Sequence, residues 1–349
     1  DFCLSRGLGD VYKRQANEEL RMKKLLKKTL KLILPVVLGG FILFWVYRDF
    51  DFTKAGDVLL HGTNWWWMLF SLVFGVFAQV FRGWRWRQTL EPLDAFPKKS
   101  DCVNAIFISY AASLVVPRIG EVSRCGVLAK YDNVSFAKSL GTVVTERLVD
   151  TLTILLITGI TVLLQLPIFV TFLQQTGTKI PSLVHLLTSV WFYIILFCFI
   201  GVAILLYYLR KTLFFYERVK GFVLNIWEGI MSLKGVRNIP LFIFYTLAIW
   251  ACYFLHFYFT FYCFAFTAHL GILAALVMFV GGTFAVIVPT PNGAGPWHFA
   301  IISMMMLYGV NVTDAGIFAL IVHGIQTFLV VLLGIYGFAV LSFTNRHRG

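Results

Sequence analysis

Formal charge is scarce. Asp, Glu, Lys and Arg make up 13% of the 349 residues, whereas a soluble domain carries about 25%. From Asn238 to Asn345 the one formally charged residue is Asp314. No water-facing surface can be built from that stretch, so a soluble enzyme and a disordered chain are both excluded. Ordered cysteine spacing is missing too. Cys3, Cys102, Cys125, Cys198, Cys252 and Cys263 form neither a CxxC pair nor a metal-ligand pattern, which leaves packing thiols and no disulfide framework or zinc site. No G-x-S-x-G, H-E-x-x-H or Walker signature occurs, so neither a catalytic centre nor a metal or cofactor is expected. The connections between apolar runs are shorter than the roughly 50 residues a domain needs. A soluble catalytic domain has no room among them, and a non-enzyme is expected.

What is present is apolar, at 59% of residues. The expected fold class is all-α, a polytopic membrane helix bundle of about seven or eight spans. The formal charge of +13 sits in short basic clusters between apolar runs, the pattern of positive-inside loops and not of a nucleic-acid surface. Residues 1–15, which lack an initiator Met, resemble translated adaptor read-through and are set apart from the fold. Residues 16–28 read as a cytoplasmic basic segment, 29–343 as a single membrane domain and 344–349 as a cytoplasmic tail.

Long runs fall at Thr29 to Tyr47, Trp65 to Phe81, Ser135 to Pro167, Leu187 to Leu209, Pro240 to Phe266, Gly271 to Val288 and Ala315 to Phe343. Cys102 to Val116 and Trp297 to Val310 are shorter, one read as a re-entrant or tilted half-helix and the other as crossing or nearly crossing. Two places break helical sequence at membrane depth. One is Pro117-Arg118-Ile119-Gly120-Glu121; the other runs from Pro289 through Pro291, Asn292, Gly293 and Gly295 to Pro296. Irregular backbone at that depth must be covered by protein or line a polar cavity. Broken segments in corresponding halves point to an internal repeat and a binding site between its units.

Arg118, Glu121 and Arg124 follow one another at i,i+3, and Glu146, Arg147 and Asp150 fall within one helical turn. Glu121, Glu146 and Arg147 are read as a buried pair or network, since ionisable groups in a bilayer face protein or a cavity. Lys138 and Arg124 are split between burial and snorkelling to the boundary. Arg82, Arg85 and Arg87, interleaved with Trp84 and Trp86, are read as interfacial contacts to anionic headgroups. His256, His298 and His323 read as hydrogen-bonded packing residues, and His298, just past the second break, is placed with the loop as a residue that can titrate in a cavity.

The run Pro117 to Arg124, the segment Glu146-Arg147-Leu148-Val149-Asp150, the Arg82 to Arg87 cluster and the Pro-x-Pro-x-Gly-x-Gly loop at 289–295, in that spacing, resemble the lysylphosphatidylglycerol synthase transmembrane-region family of flippase-like proteins. The resemblance covers about Lys24 to Phe343 and implies a multi-pass bacterial inner-membrane protein with re-entrant helices. In two-domain members this region moves aminoacylated phosphatidylglycerol between leaflets, and a separate soluble domain makes that lipid. Where relatives often carry an acidic residue after the glycine loop, this chain has Pro296-Trp297-His298. The expectation is translocation of a phospholipid or lipid-linked precursor. Arg118, Arg124 and Arg147 would hold phosphate, Glu121, Glu146 and Asp150 would complete the headgroup site, and the 289–296 loop with Pro117 and Gly120 would form the gate. The alternatives are a secondary transporter of a small solute and a membrane subunit docking a lipid-modifying or glycan-synthesis enzyme. Partners are membrane lipids, anionic or aminoacylated, and no nucleic acid.

Overall fold

Caps and prolines set the helix ends. Our computed structural model describes residues 33–48, 50–166 and 235–344. The expected leader, the basic segment before residue 33, the run Leu187 to Leu209 and the tail beyond Thr344 lie outside those residues. Helix α1 (Ile33–Tyr47) meets α2 (Phe52–Asp57), which continues into a π turn to Gly62, at an angle of 97°. Asn64 then caps α3 (Trp65–Leu90) by accepting from the Trp66 amide at 3.2 Å. Next come α4 (Lys99–Val115) and α5 (Ile119–Tyr131). Proline cannot continue a helix and drives its predecessor extended; Val116, before Pro117, has φ −130° and ψ 116°. α6 (Phe136–Leu164) is long and uninterrupted.

The last described segment, residues 235–344, repeats this order. α7 (Ile239–Tyr258) is capped by Asn238 Oδ1, which accepts from the Leu241 amide at 3.0 Å. α8 (Ile272–Ala285) and α9 (Pro296–Leu307) flank the proline-glycine loop, with Pro296 at the first helical position, where its missing N–H costs nothing. α10 (Val312–Thr344) closes the described chain. A long helix, a broken pair and a long helix thus occur twice. The packing is reciprocal: α3 lies on α7, α4 on α10, and α8 on α6. That is the pairing expected of two related units.

Among the described residues α3, α6, α7 and α10 are long and apolar enough to cross a membrane, and the bent α1–α2 pair is a fifth candidate. The runs at Gly271 to Val288 and Trp297 to Val310, expected to contribute to seven or eight spans, form the shorter helices α8 and α9. Outward faces stay apolar, with Leu152, Leu156 and Leu163 of α6 and Ile243 and Leu247 of α7 exposed, as suits a lipid surrounding. The main core gathers Met68, Phe257, Phe261, Met278, Ile301, Met305 and Phe318 from α3 and α7 to α10. Cys102, Cys125 and Cys263 are buried free thiols. His256 donates from Nδ1 to the Ser71 carbonyl at 2.8 Å and packs on Gly75, fixing α7 against α3.

Candidate functional site

Helical periodicity gives α3 a polar patch in an apolar span: Arg82 and Arg85 stand three apart, and Trp86 follows. On α6, Glu146 and Asp150 stand four apart, one above the other on the same face. The two patches meet. Asp150 accepts from Arg82 Nη1 through Oδ2 and from Arg85 Nη2 through Oδ1, both at 2.7 Å. Glu146 lies 2.6 Å from Arg124 Nη1 on α5 and 3.6 Å from Arg85 Nη2. The Glu146 and Arg85 side chains are fully buried, and Arg124 is 1% exposed. The Arg124 guanidinium lies over the Trp86 ring at 4.5 Å, and Trp86 donates Nε1–H to Thr142 Oγ1 at 3.0 Å. Each of these three buried arginines lies beside an acid, but they share two carboxylates among them; removing one partner of a buried pair typically costs about 3–5 kcal/mol.

Toward the surface the network opens. Arg147 Nε and Glu121 Oε1 pair at 3.0 Å, with their side chains 44% and 39% exposed, and Arg147 Nη1 is 3.8 Å from Asp150. Arg118 is held at φ 66°, a left-handed conformation costly for a residue with a Cβ, and donates from Nη2 to the Ile287 carbonyl at 3.3 Å. That bond joins the first break to the end of the second broken helix. Gly120 is required for a close approach: a Cβ there would overlap the Ser109 carbonyl oxygen and the Ser113 hydroxyl of α4.

The second break is pinned from two sides. Asn292 (φ 51°) donates from Nδ2 to Thr327 Oγ1 at 2.8 Å, and His323 Nε2 donates to the Asn292 carbonyl at 3.1 Å. Gly295, at φ 92°, packs against the Gly39 carbonyl and Ile42 of α1, where a Cβ would come within 2.9 Å of each. Its amide donates to His298 Nδ1 at 3.3 Å. His298 and His323 lie side by side with ring centroids 4.5 Å apart, and Tyr47 meets His298 edge-on.

Both breaks line one cavity of about 190 Å³. Arg82, Pro117, Arg118, Glu121, Arg124 and Arg147 border it from the first half, with Ser109, Tyr110 and Ser113 of α4. Val286, Val288, Pro289, Thr290, Asn292 and Gly293 close it from the second half. Glu146 and Asp150 stand behind this lining as anchors for its arginines. His298, for which the sequence left both a packing role and titration in a cavity open, is packed behind the loop at 3% exposure.

The arginine-tryptophan cluster takes a different place from the one its sequence implied. Arg82 and Arg85 are interior residues paired with Asp150, not contacts to headgroups at a boundary. Arg87 bonds the Pro97 carbonyl and pairs with Glu91 at 3.4 Å. Arg124 is buried and not snorkelling, whereas Lys138 reaches the Leu93 carbonyl at the exposed surface. The missed signal was the three-residue spacing of Arg82 and Arg85, which matches the four-residue spacing of two acids on another helix. Among the described residues no group of three or more His, Cys, Asp or Glu is placed to hold a metal ion.

No curated protein and no solved structure matches the chain significantly. The family model described as "Lysylphosphatidylglycerol synthase TM region" matches residues 32–334, nearly the whole length including both breaks and the buried charge network, and the chain belongs to that family of multi-pass membrane proteins.

Proposed function

We propose that this protein moves a phospholipid or a lipid-linked precursor between the leaflets of a bacterial inner membrane, with both termini on the cytoplasmic side. One observation carries the reading: two helix breaks from the two halves of the chain border a single cavity that four arginines also line. Broken helices facing each other across a repeat are where membrane transporters place their substrate. Guanidinium groups match phosphate oxygens in geometry and charge, and the apolar outer faces of α6 and α7 leave a path for acyl chains outside the protein. The Arg147–Glu121 pair at the opening is the movable part, since exposed pairs are held by little energy. Membership of the family supports a flippase-like role, and the activity sits in the membrane helices without a catalytic step.

The test is reconstitution in liposomes carrying a fluorescent phospholipid, with leaflet access read by a membrane-impermeant reductant. The wild-type chain is expected to expose inner-leaflet lipid, and Arg147→Ala and Glu121→Ala to slow that exposure. Equal rates in empty, wild-type and variant vesicles would remove the proposal.

A further inference from the structure

The charge of the cavity deepens that reading, on which this inference rests, by limiting the headgroup. Arg82, Arg118, Arg124 and Arg147 line the cavity, and Glu121 is the acid in its lining. Glu121 is already engaged by Arg147 at 3.0 Å. The acids behind the lining are shared: Asp150 serves Arg82 and Arg85, and Glu146 serves Arg124 and Arg85. Five arginines against three carboxylates leave two positive charges in excess in this set: one among the buried Arg82, Arg85 and Arg124, which share Glu146 and Asp150, and one on the exposed Arg118. An uncompensated cation in a low-dielectric interior is strongly destabilising.

The hydrogen bonding shows the same imbalance. Arg124 is 1% exposed, yet its Nε and Nη2 meet no acceptor among the described residues, and neither does Arg82 Nε. Arg124 Nη1 and Glu146 Oε2 are out of line for a hydrogen bond, so both Glu146 oxygens lack a donor among the described residues as well; with Arg85 Nε, five unpaired arginine donors stand against these two acceptors. Buried donors of this kind are normally satisfied. Among the described residues, the arginines that border the cavity therefore have buried donors and positive charge in excess, while the one lining carboxylate is occupied.

We propose that the site selects a headgroup whose phosphate is its only charged group, bearing one or two negative charges, and discriminates against a headgroup that also carries an ammonium, such as a lysyl ester. A phosphate supplies both missing quantities, negative charge and several acceptor oxygens, and arginine is the side chain best matched to it. An added ammonium would cancel the charge gained and would find no free carboxylate in the lining. Arg82 and Arg124 then act as buried phosphate donors and Arg118 as the donor at the opening.

The experiment is thermal unfolding of the full-length protein in detergent, titrated separately with phosphatidic acid, phosphatidylglycerol, lysylphosphatidylglycerol, phosphatidylethanolamine and inorganic phosphate. The two anionic lipids are expected to raise the midpoint and the two ammonium lipids to leave it unchanged. Arg118→Gln, at an exposed position, is expected to leave the unfolding midpoint without lipid near that of wild type and to weaken the apparent affinity for phosphatidic acid roughly tenfold or more, as loss of a charge-assisted hydrogen bond implies. Arg124→Gln is expected to do the same if it folds. Stabilisation by lysylphosphatidylglycerol equal to that by phosphatidylglycerol, or no stabilisation by either anionic lipid, overturns the inference. In the first case translocation in vesicles still stands. Inorganic phosphate matching the lipids would keep the charge preference and remove the lipid as its source.

Discussion

At the scale of single residues, the network divides into buried and open ion pairs, and these should respond differently to mutation. Asp150 joins two buried arginines at 2.7 Å each. Asp150→Asn leaves both without their main counter-charge and is expected to cost about 3–5 kcal/mol, read as a large fall in the unfolding midpoint of the purified protein. A midpoint that does not move would mean that water reaches these arginines. Arg147 is 44% exposed, so Arg147→Ala should change stability by no more than about 1 kcal/mol while slowing lipid movement. A chain that lost stability and transport together would make the pair a structural strut and not a gate. The sequence marked Glu121, Arg124, Glu146, Arg147 and Asp150 as chemically important because charges in apolar helices are expensive. It did not reveal the role of Arg82 and Arg85: an arginine beside a tryptophan reads alike at a lipid boundary and in an interior, until the opposing acid is known.

At the scale of elements, helix starts and the proline breaks were legible, whereas the C-terminal ends of α3 at Leu90 and α7 at Tyr258 lie eight or nine residues from the ends of their apolar runs. Prolines and asparagine caps act through local sterics and local hydrogen bonds, so Asn64, Asn238 and Pro296 mark the starts of α3, α7 and α9, and Pro117 the end of α4, within a residue or two. Span number was less legible, because a run of 14 apolar residues such as α8 reads alike as a short span and as a half-helix covered by protein. The contacts between elements depend on small residues. α10 lies along α4 with Gly334 against Ala111 and Gly337 against the Asn104 carbonyl, the close approach that membrane helices use in place of a hydrophobic drive. Gly334→Leu is expected to push α10 from α4 and to destabilise the protein by about 1–3 kcal/mol as an overpacked contact. A Gly334→Leu protein as stable as wild type would show that this contact does not form in the membrane.

At the scale of the whole molecule, the two broken pairs face one cavity, and α1 braces the second of them. Gly39 sits against Thr290 and Ala294, where a Cβ would come within 3.2 Å of each. Because that loop borders the cavity, Gly39→Leu is expected to shift it and slow transport in vesicles. The buried network on α3, α5 and α6 should keep the unfolding midpoint near that of wild type. Unchanged transport would mean that the loop does not need its brace.

By itself the amino-acid sequence determined the membrane setting, the helical class, the positions of both breaks and the resemblance to the family. Each of these follows from composition, periodicity or residues close together in the chain. Only the tertiary structure decided which charge meets which and which buried donors, among the described residues, are left without an acceptor. Arg82 and Asp150 are 68 positions apart and Arg118 and Ile287 are 169 apart. At such separations, pairing is set by how helices pack against one another, and no local propensity encodes it.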